Sequence, residues 1–83
     1  MKLKQLMIMM TLEELNEKLK NKGLRVYIAK MYNYDTNTYK YDASIDYLKK
    51  DGRWGIYHVL GVFAKKSDVI NNALKKLQID KIL

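Results

Sequence analysis

The 83-residue sequence has no cysteine and no proline, and only one histidine, one tryptophan and one phenylalanine. Without cysteine there is no disulfide and no thiolate metal site, so apolar packing alone must hold the fold. The same absence fits a reducing compartment. A chain of this length buries only roughly 60% of its unfolded surface, so it builds one modest core. One histidine, His58, and two serines leave no nucleophile–base pair of the kind a catalytic triad needs. Metal sites ask for several His, Cys or clustered carboxylates. His58 stands alone, and Asp42 and Asp46 lie about 13–14 Å apart along one strand face by strand rise. The four glycines, at 23, 52, 55 and 61, are scattered and make no phosphate loop. The expectation is a protein that is not an enzyme, with no metal and no cofactor.

Long hydrophobic runs are also missing, and nothing approaches the ~20 apolar residues of a membrane span. Lys2 and Lys4 precede the apolar stretch Leu6 to Met10, as they would in a signal peptide. That stretch is too short for an h-region, and no small-residue cleavage site follows. Met7, Met9 and Met10 each offer an alternative start, which leaves residues 1–10 as a short strand, an added helical turn or an extension. With no low-complexity tract, repeat or visible linker, 1–83 reads as a single domain, and the expected location is the cytoplasm.

What the chain does have is positive charge: 16 Lys and Arg against 9 Asp and Glu, a formal net of +7. Such an excess favours polyanionic partners, namely nucleic acid, an acidic protein surface or anionic lipid. A solvated surface in a lysine-favouring genome is the competing account, since Lys, Asn, Ile and Tyr are all plentiful. Seven tyrosines make the aromatic content mostly amphipathic.

The pattern along the chain predicts helix, three-stranded antiparallel meander, helix. Thr11-Leu12-Glu13-Glu14 is a capping box, Leu12, Leu15 and Leu19 follow at helical spacing, and Gly23 stops a helix over about 12–22. From Leu24 to Tyr34, Leu24, Val26 and Ile28 alternate with Arg25, Tyr27 and Ala29, the period of a half-buried strand. Asp35-Thr36-Asn37-Thr38 is a turn by composition. Tyr39 to Leu48 alternates again, and Asp51-Gly52 marks a hairpin into Trp54 to Phe63. There Ile56, Leu60 and Val62 are expected on one apolar face, with His58 beside them as a half-buried core histidine. Ser67 or Asp68 is the expected cap of a last helix whose stripe is Val69, Ile70, Ala73, Leu74 and Leu77. The fold class is α+β, with both helices on the one apolar face of the sheet.

Charge is uneven along this plan. Residues 1–23 carry +2, 24–48 carry 0, 49–66 carry +4 and 67–83 carry +1. Most of the excess therefore flanks the third strand, as Lys49, Lys50 and Arg53 at its start and Lys65 and Lys66 at its end. The two clusters are roughly 30 Å apart by strand rise and could straddle a groove or duplex. Lys65 and Lys66 also stand where the last helix points its N-terminal amides, a natural place for phosphate. Lys75 and Lys76 would extend the basic strip along that helix. By alternation the outward sheet face carries Arg25, Tyr27, Lys40, Asp42, Ser44, Asp46 and Tyr57, near neutral and tyrosine-bearing. Tyr27 and Tyr57, with Tyr32, Tyr34 and Tyr39 at the strand ends, suit a protein partner or merely cover the strand edges.

Partial resemblances accompany these residues. The helix–Gly–strand opening, Leu12-Glu13-Glu14-Leu15 through Leu19 to Gly23-Leu24, resembles small toxin ribonucleases of the HicA type, whose Gly-Ser-His motif is absent. Trp54-Gly55-Ile56-Tyr57, then Leu60-Gly61-Val62-Phe63-Ala64-Lys65-Lys66-Ser67-Asp68 and Ala73, is similar over about 20 residues to integrase arm-type and plant ethylene-response DNA-binding domains. The element order with Lys65-Lys66 at the second helix start resembles a double-stranded RNA-binding domain, which implies lysine–phosphate contact there. The loop at Asp35 departs from that family in having no basic residue. In composition the chain also resembles small phage and mobile-element proteins, including anti-CRISPR inhibitors. The leading expectation is a binding module for duplex DNA or RNA, centred on Lys65, Lys66, Lys49, Lys50 and Arg53. The alternative is a protein inhibitor that binds a host nucleoprotein, and the third is a ribonuclease using His58. A homodimer through an open sheet edge is compatible with all three.

Overall fold

The computed structural model describes residues 10–83, so the readings for residues 1–9 lie outside the described residues. Thr11 Oγ1 accepts the Glu14 N–H at 3.1 Å and Glu14 Oε1 accepts the Thr11 N–H at 3.0 Å, closing the capping box. Two of the amides left open at a helix start are thereby satisfied. Helix α1 (Leu12–Lys20) follows, and the chain reverses at Gly23, whose φ of +68° a side chain would resist. Strands β1 (Leu24–Asn33), β2 (Thr38–Leu48) and β3 (Trp54–Phe63) come next, then helix α2 (Lys66–Ile79). The sheet order is β1-β2-β3, antiparallel throughout. The α+β architecture expected from the hydrophobic pattern is the one observed.

Leu24 and Val26 of β1 and Ala43 and Ile45 of β2 are buried against Leu15 and Leu19 of α1 and all five apolar-stripe residues of α2. A single cluster spans both helices and one sheet face, so the two helices share that face. The pairs Val26↔Ile45 and Ile28↔Ala43 set the register of β1 on β2. A one-residue slip would carry the whole apolar set to the other side.

Strand β3 departs from the expected alternation. Ile45 faces His58 while its neighbour Asp46 faces Ile56, and Ala43 faces Gly61 while Ser44 faces Val59. Tyr57 and Leu60 are thus extra residues in two β-bulges, each of which reverses the parity of the side chains around it. Gly61, at φ +118°, supplies backbone geometry that the second bulge requires. Ile56 and Val62, expected beside Leu60 on the core face, are instead 64% and 53% exposed on the opposite face. Tyr57, expected outward, reaches round to the helix layer and donates its hydroxyl to Asp80 at the end of α2. His58 and Leu60 remain on the core side, both half-buried.

Helix α2 also starts earlier than expected. Lys65, not Ser67 or Asp68, is the N-cap residue, and it makes no side-chain cap hydrogen bond. Only Ala64 and Lys65 separate β3 from the helix. Asp68 falls instead in the first turn, where its carboxylate faces the positive end of the helix.

Candidate functional site

The sheet face turned away from the helices is open, and its composition differs column by column. Down β3 run Trp54, Ile56, Val59 and Val62, which are 38%, 64%, 61% and 53% exposed. Down the middle strand run Asp46, Ser44, Asp42 and Lys40, and down β1 run Arg25, Tyr27, Ala29 and Met31. An apolar ridge therefore lies along one margin of the face, beside a polar centre. Full burial of each such side chain is worth about 1.5–3 kcal/mol, so a row of four left in water marks a surface built to be covered.

Arg25 and Asp46 meet at the lower end of this face. Arg25 Nε donates to Asp46 Oδ2 at 3.1 Å, and Ser44 Oγ donates to Asp46 Oδ1 at 2.7 Å. The Asp46 side chain is only 7% exposed, and both its oxygens have a partner. The Arg25 guanidinium carbon lies 4.3 Å from the Trp54 ring centroid and 4.9 Å from that of Tyr27. Two rings and one carboxylate hold the guanidinium in place, while among the described residues only its Nε is engaged. An open groove of about 420 Å³ runs over this pair, lined by Arg25, Tyr27, Asp46, Trp54, Ile56 and Val59 among others. Asp46 lies on the outward face, as alternation predicts, but is buried there. Its carboxylate is neutralised within the face.

The basic residues lie at the two ends of the ridge. Lys49, Lys50 and Arg53 surround the β2–β3 hairpin, closed by a Lys49 N–H to Arg53 O bond of 2.7 Å and by Gly52 at φ +87°. Arg53 is tied to Asp51 at 3.0 Å, whereas Lys49 and Lys50 are exposed and in no ion pair among the described residues. Lys65 and Lys66 are exposed at the start of α2, with the Lys66 amine 5.9 Å from the Tyr41 ring centroid. Lys75 is exposed. Lys76 is half-buried and paired with Asp80 at 3.3 Å, so its charge is committed within the fold.

The five candidate tyrosines separate into three groups. Tyr27 lies on the open face. Tyr32 packs edge-on against both Tyr34 and Tyr39, with centroids 4.8 Å apart in each pair, at the far end of the β1–β2 hairpin. Lys30 stacks over Tyr39 at 4.0 Å, which keeps this group together. Tyr57 belongs to neither. Its hydroxyl is raised above the ordinary tyrosine range, chiefly by the hydrogen bond to Asp80, and Asp80 is lowered chiefly by the same bond, then by Lys76 and the field of His58. His58 therefore stands near a carboxylate and a tyrosine that bind one another, on the helix side of the sheet.

Sequence reasoning missed Asn16. Its side-chain amide accepts the Val26 N–H at 2.7 Å and donates to the Val26 carbonyl at 3.1 Å, closing the free margin of β1 at that point. A polar residue within the apolar stripe Leu12, Leu15, Leu19 was the available signal. Val59 was likewise not singled out, although alternation from Tyr57 already turned it outward. It gains its place in a ridge only because the bulges bring Ile56 and Val62 to the same face.

Among the described residues, no group of three His, Cys, Asp or Glu could hold a metal ion, and no helix is long and apolar enough to cross a membrane. Compared with protein-family models, curated proteins and solved structures, the chain matches none.

Proposed function

We propose that the protein is a binding module that docks another protein through the open face of its sheet, in the manner of an inhibitor or adaptor. The observation that carries this reading is the exposed ridge Trp54, Ile56, Val59 and Val62 beside the fixed Arg25–Asp46 pair. Aromatic and arginine anchors within an apolar patch are what protein interfaces concentrate at their energetic centres. A phosphate backbone gains nothing from covering three aliphatic side chains.

The reading is tested by capture from a lysate of the source cell, with and without nuclease. A protein partner should survive nuclease treatment and be lost when Ile56 and Val59 are both changed to Glu. A partner that survives both treatments refutes the proposal.

Contact with duplex nucleic acid is the second reading, favoured by Lys49, Lys50, Lys65 and Lys66, which are exposed and in no ion pair among the described residues. It requires binding that falls steeply with salt and is abolished by Lys65→Glu with Lys66→Glu. A gel shift with DNA and RNA duplexes at low salt measures it. A host nucleoprotein partner would use both surfaces at once.

A further inference from the structure

We propose that the segment docked on the open face is acidic at both ends and apolar in the middle, so that its carboxylates meet the basic clusters flanking β3. This inference rests on the protein-docking reading above and names the chemistry of the partner. The warrant is charge complementarity. Within residues 49–66 the apolar ridge has Lys49, Lys50 and Arg53 at one end and Lys65 and Lys66 at the other, against Asp51 alone in that span. Asp68 follows in the first turn of α2, and Lys66 leans over Tyr41 on the helix side. Ridge and flanks together read basic, apolar, basic.

A second copy of the chain does not fit this pattern. Any two-fold arrangement that stacks ridge on ridge sets a basic end of one copy against a basic end of the other. Pairing along the strand margins is also obstructed. Asn16 occupies the backbone groups of Val26 on the β1 side, and the bulges at Tyr57 and Leu60 make β3 irregular on the other. The face is therefore offered for lateral docking and not for strand addition.

Geometry limits the occupant further. Ten residues of β3, shortened by two bulges, place the basic ends roughly 25–30 Å apart. A helix of about 18 residues spans this distance, as does an extended segment of about eight. Near the hairpin end, the two Arg25 nitrogens that make no hydrogen bond among the described residues present a fork suited to one carboxylate of the segment, held between Trp54 and Tyr27. Asp42, exposed opposite Val62, disfavours acid beside that residue, which sets the carboxylates at this end beyond the ridge, toward Lys65 and Lys66.

The test is selection from a displayed library of random peptides about 20 residues long. Peptides are kept if they bind the wild-type protein and fail to bind the Ile56→Ser, Val59→Ser double variant. Both substituted residues are exposed, and equal melting temperatures establish that the variant keeps the fold. The expected result is enrichment of peptides with apolar centres and Asp or Glu on both flanks. Their affinity should drop about tenfold or more between about 0.05 M and about 0.5 M salt. Reversing Lys49, Lys50, Lys65 and Lys66 to Glu should reduce it by at least as much. Enrichment of neutral or basic peptides that still require Ile56 and Val59 would leave the docking reading standing and overturn this inference. Failure to select any peptide dependent on those residues would overturn both. Concentration-dependent self-association of the wild type through Ile56 and Val59 would assign the face to a second copy and overturn the inference alone.

Discussion

Asp46 ties the open face together at the level of single residues. Its carboxylate takes the Arg25 guanidinium and the Ser44 hydroxyl within a nearly closed environment. Asp46→Ala leaves a half-exposed guanidinium without its acceptor, and the expected loss of stability is about 1.5–3 kcal/mol by urea unfolding. Arg25→Met in the same background should restore part of it, since no charge is then left without a partner. Tyr57 and Asp80 give a pH-dependent counterpart. Asp80 is lowered in the folded protein, so its contribution is present above the unfolded carboxylate value of about 4 and lost as pH falls through the folded value. Tyr57 is raised, so its contribution is present below about pH 10 and lost as pH rises through the higher folded value. Urea midpoints across that range should therefore decline at both extremes. In Tyr57→Phe the alkaline decline attributable to this hydroxyl should vanish, and the acid decline should shrink to what Lys76 and His58 sustain.

Among the elements, β3 decides which residues face the partner. The order of elements was legible in the sequence because each rests on a local signal: the capping box at Thr11, alternation in β1 and β2, Asp-Gly in the hairpin and the apolar stripe of α2. The bulges have no such signal. Their extra residues, Tyr57 and Leu60, resemble their neighbours in character, so strict alternation put Ile56 and Val62 inside and Tyr57 outside. Gly61 was the one visible mark, since glycine within a strand commonly serves a bulge. The exposed ridge, and with it most of the candidate site, became visible only in three dimensions. Gly61→Ala tests this account directly. At φ +118° an alanine is strained, with nothing closer to its Cβ than 3.9 Å, so the cost is conformational and amounts to about 1–3 kcal/mol. A larger consequence is expected at Val62, which should lose its position on the ridge if the bulge relaxes. Asn16→Ala probes the opposite margin. Removing the amide frees the Val26 N–H and carbonyl, for an expected loss of about 1–3 kcal/mol in thermal or urea unfolding.

For the whole molecule, the balance between ridge and charge sets whether the chain stays alone. The ridge by itself would favour association, since covering Ile56, Val59 and Val62 twice over removes substantial apolar surface from water. The net charge of +7 opposes it, most strongly where the basic ends would meet. The wild type is therefore expected to sediment as a monomer at physiological salt, where charges within about 8 Å still act on one another. Lys49→Glu with Lys50→Glu alters only one end, taking the hairpin from net +2 to net −2 while Lys65 and Lys66 are unchanged. An antiparallel pair of such chains would bring opposite charges together at both ends of the stacked ridges. This variant should dimerise, and sedimentation velocity over a range of concentrations measures it. Salt at about 0.5 M should weaken the dimer, and adding Ile56→Ser and Val59→Ser should abolish it. A variant that remains monomeric at every concentration would mean that the ridge does not supply enough binding energy to hold a complementary surface, and the docking role assigned to it would fail with it.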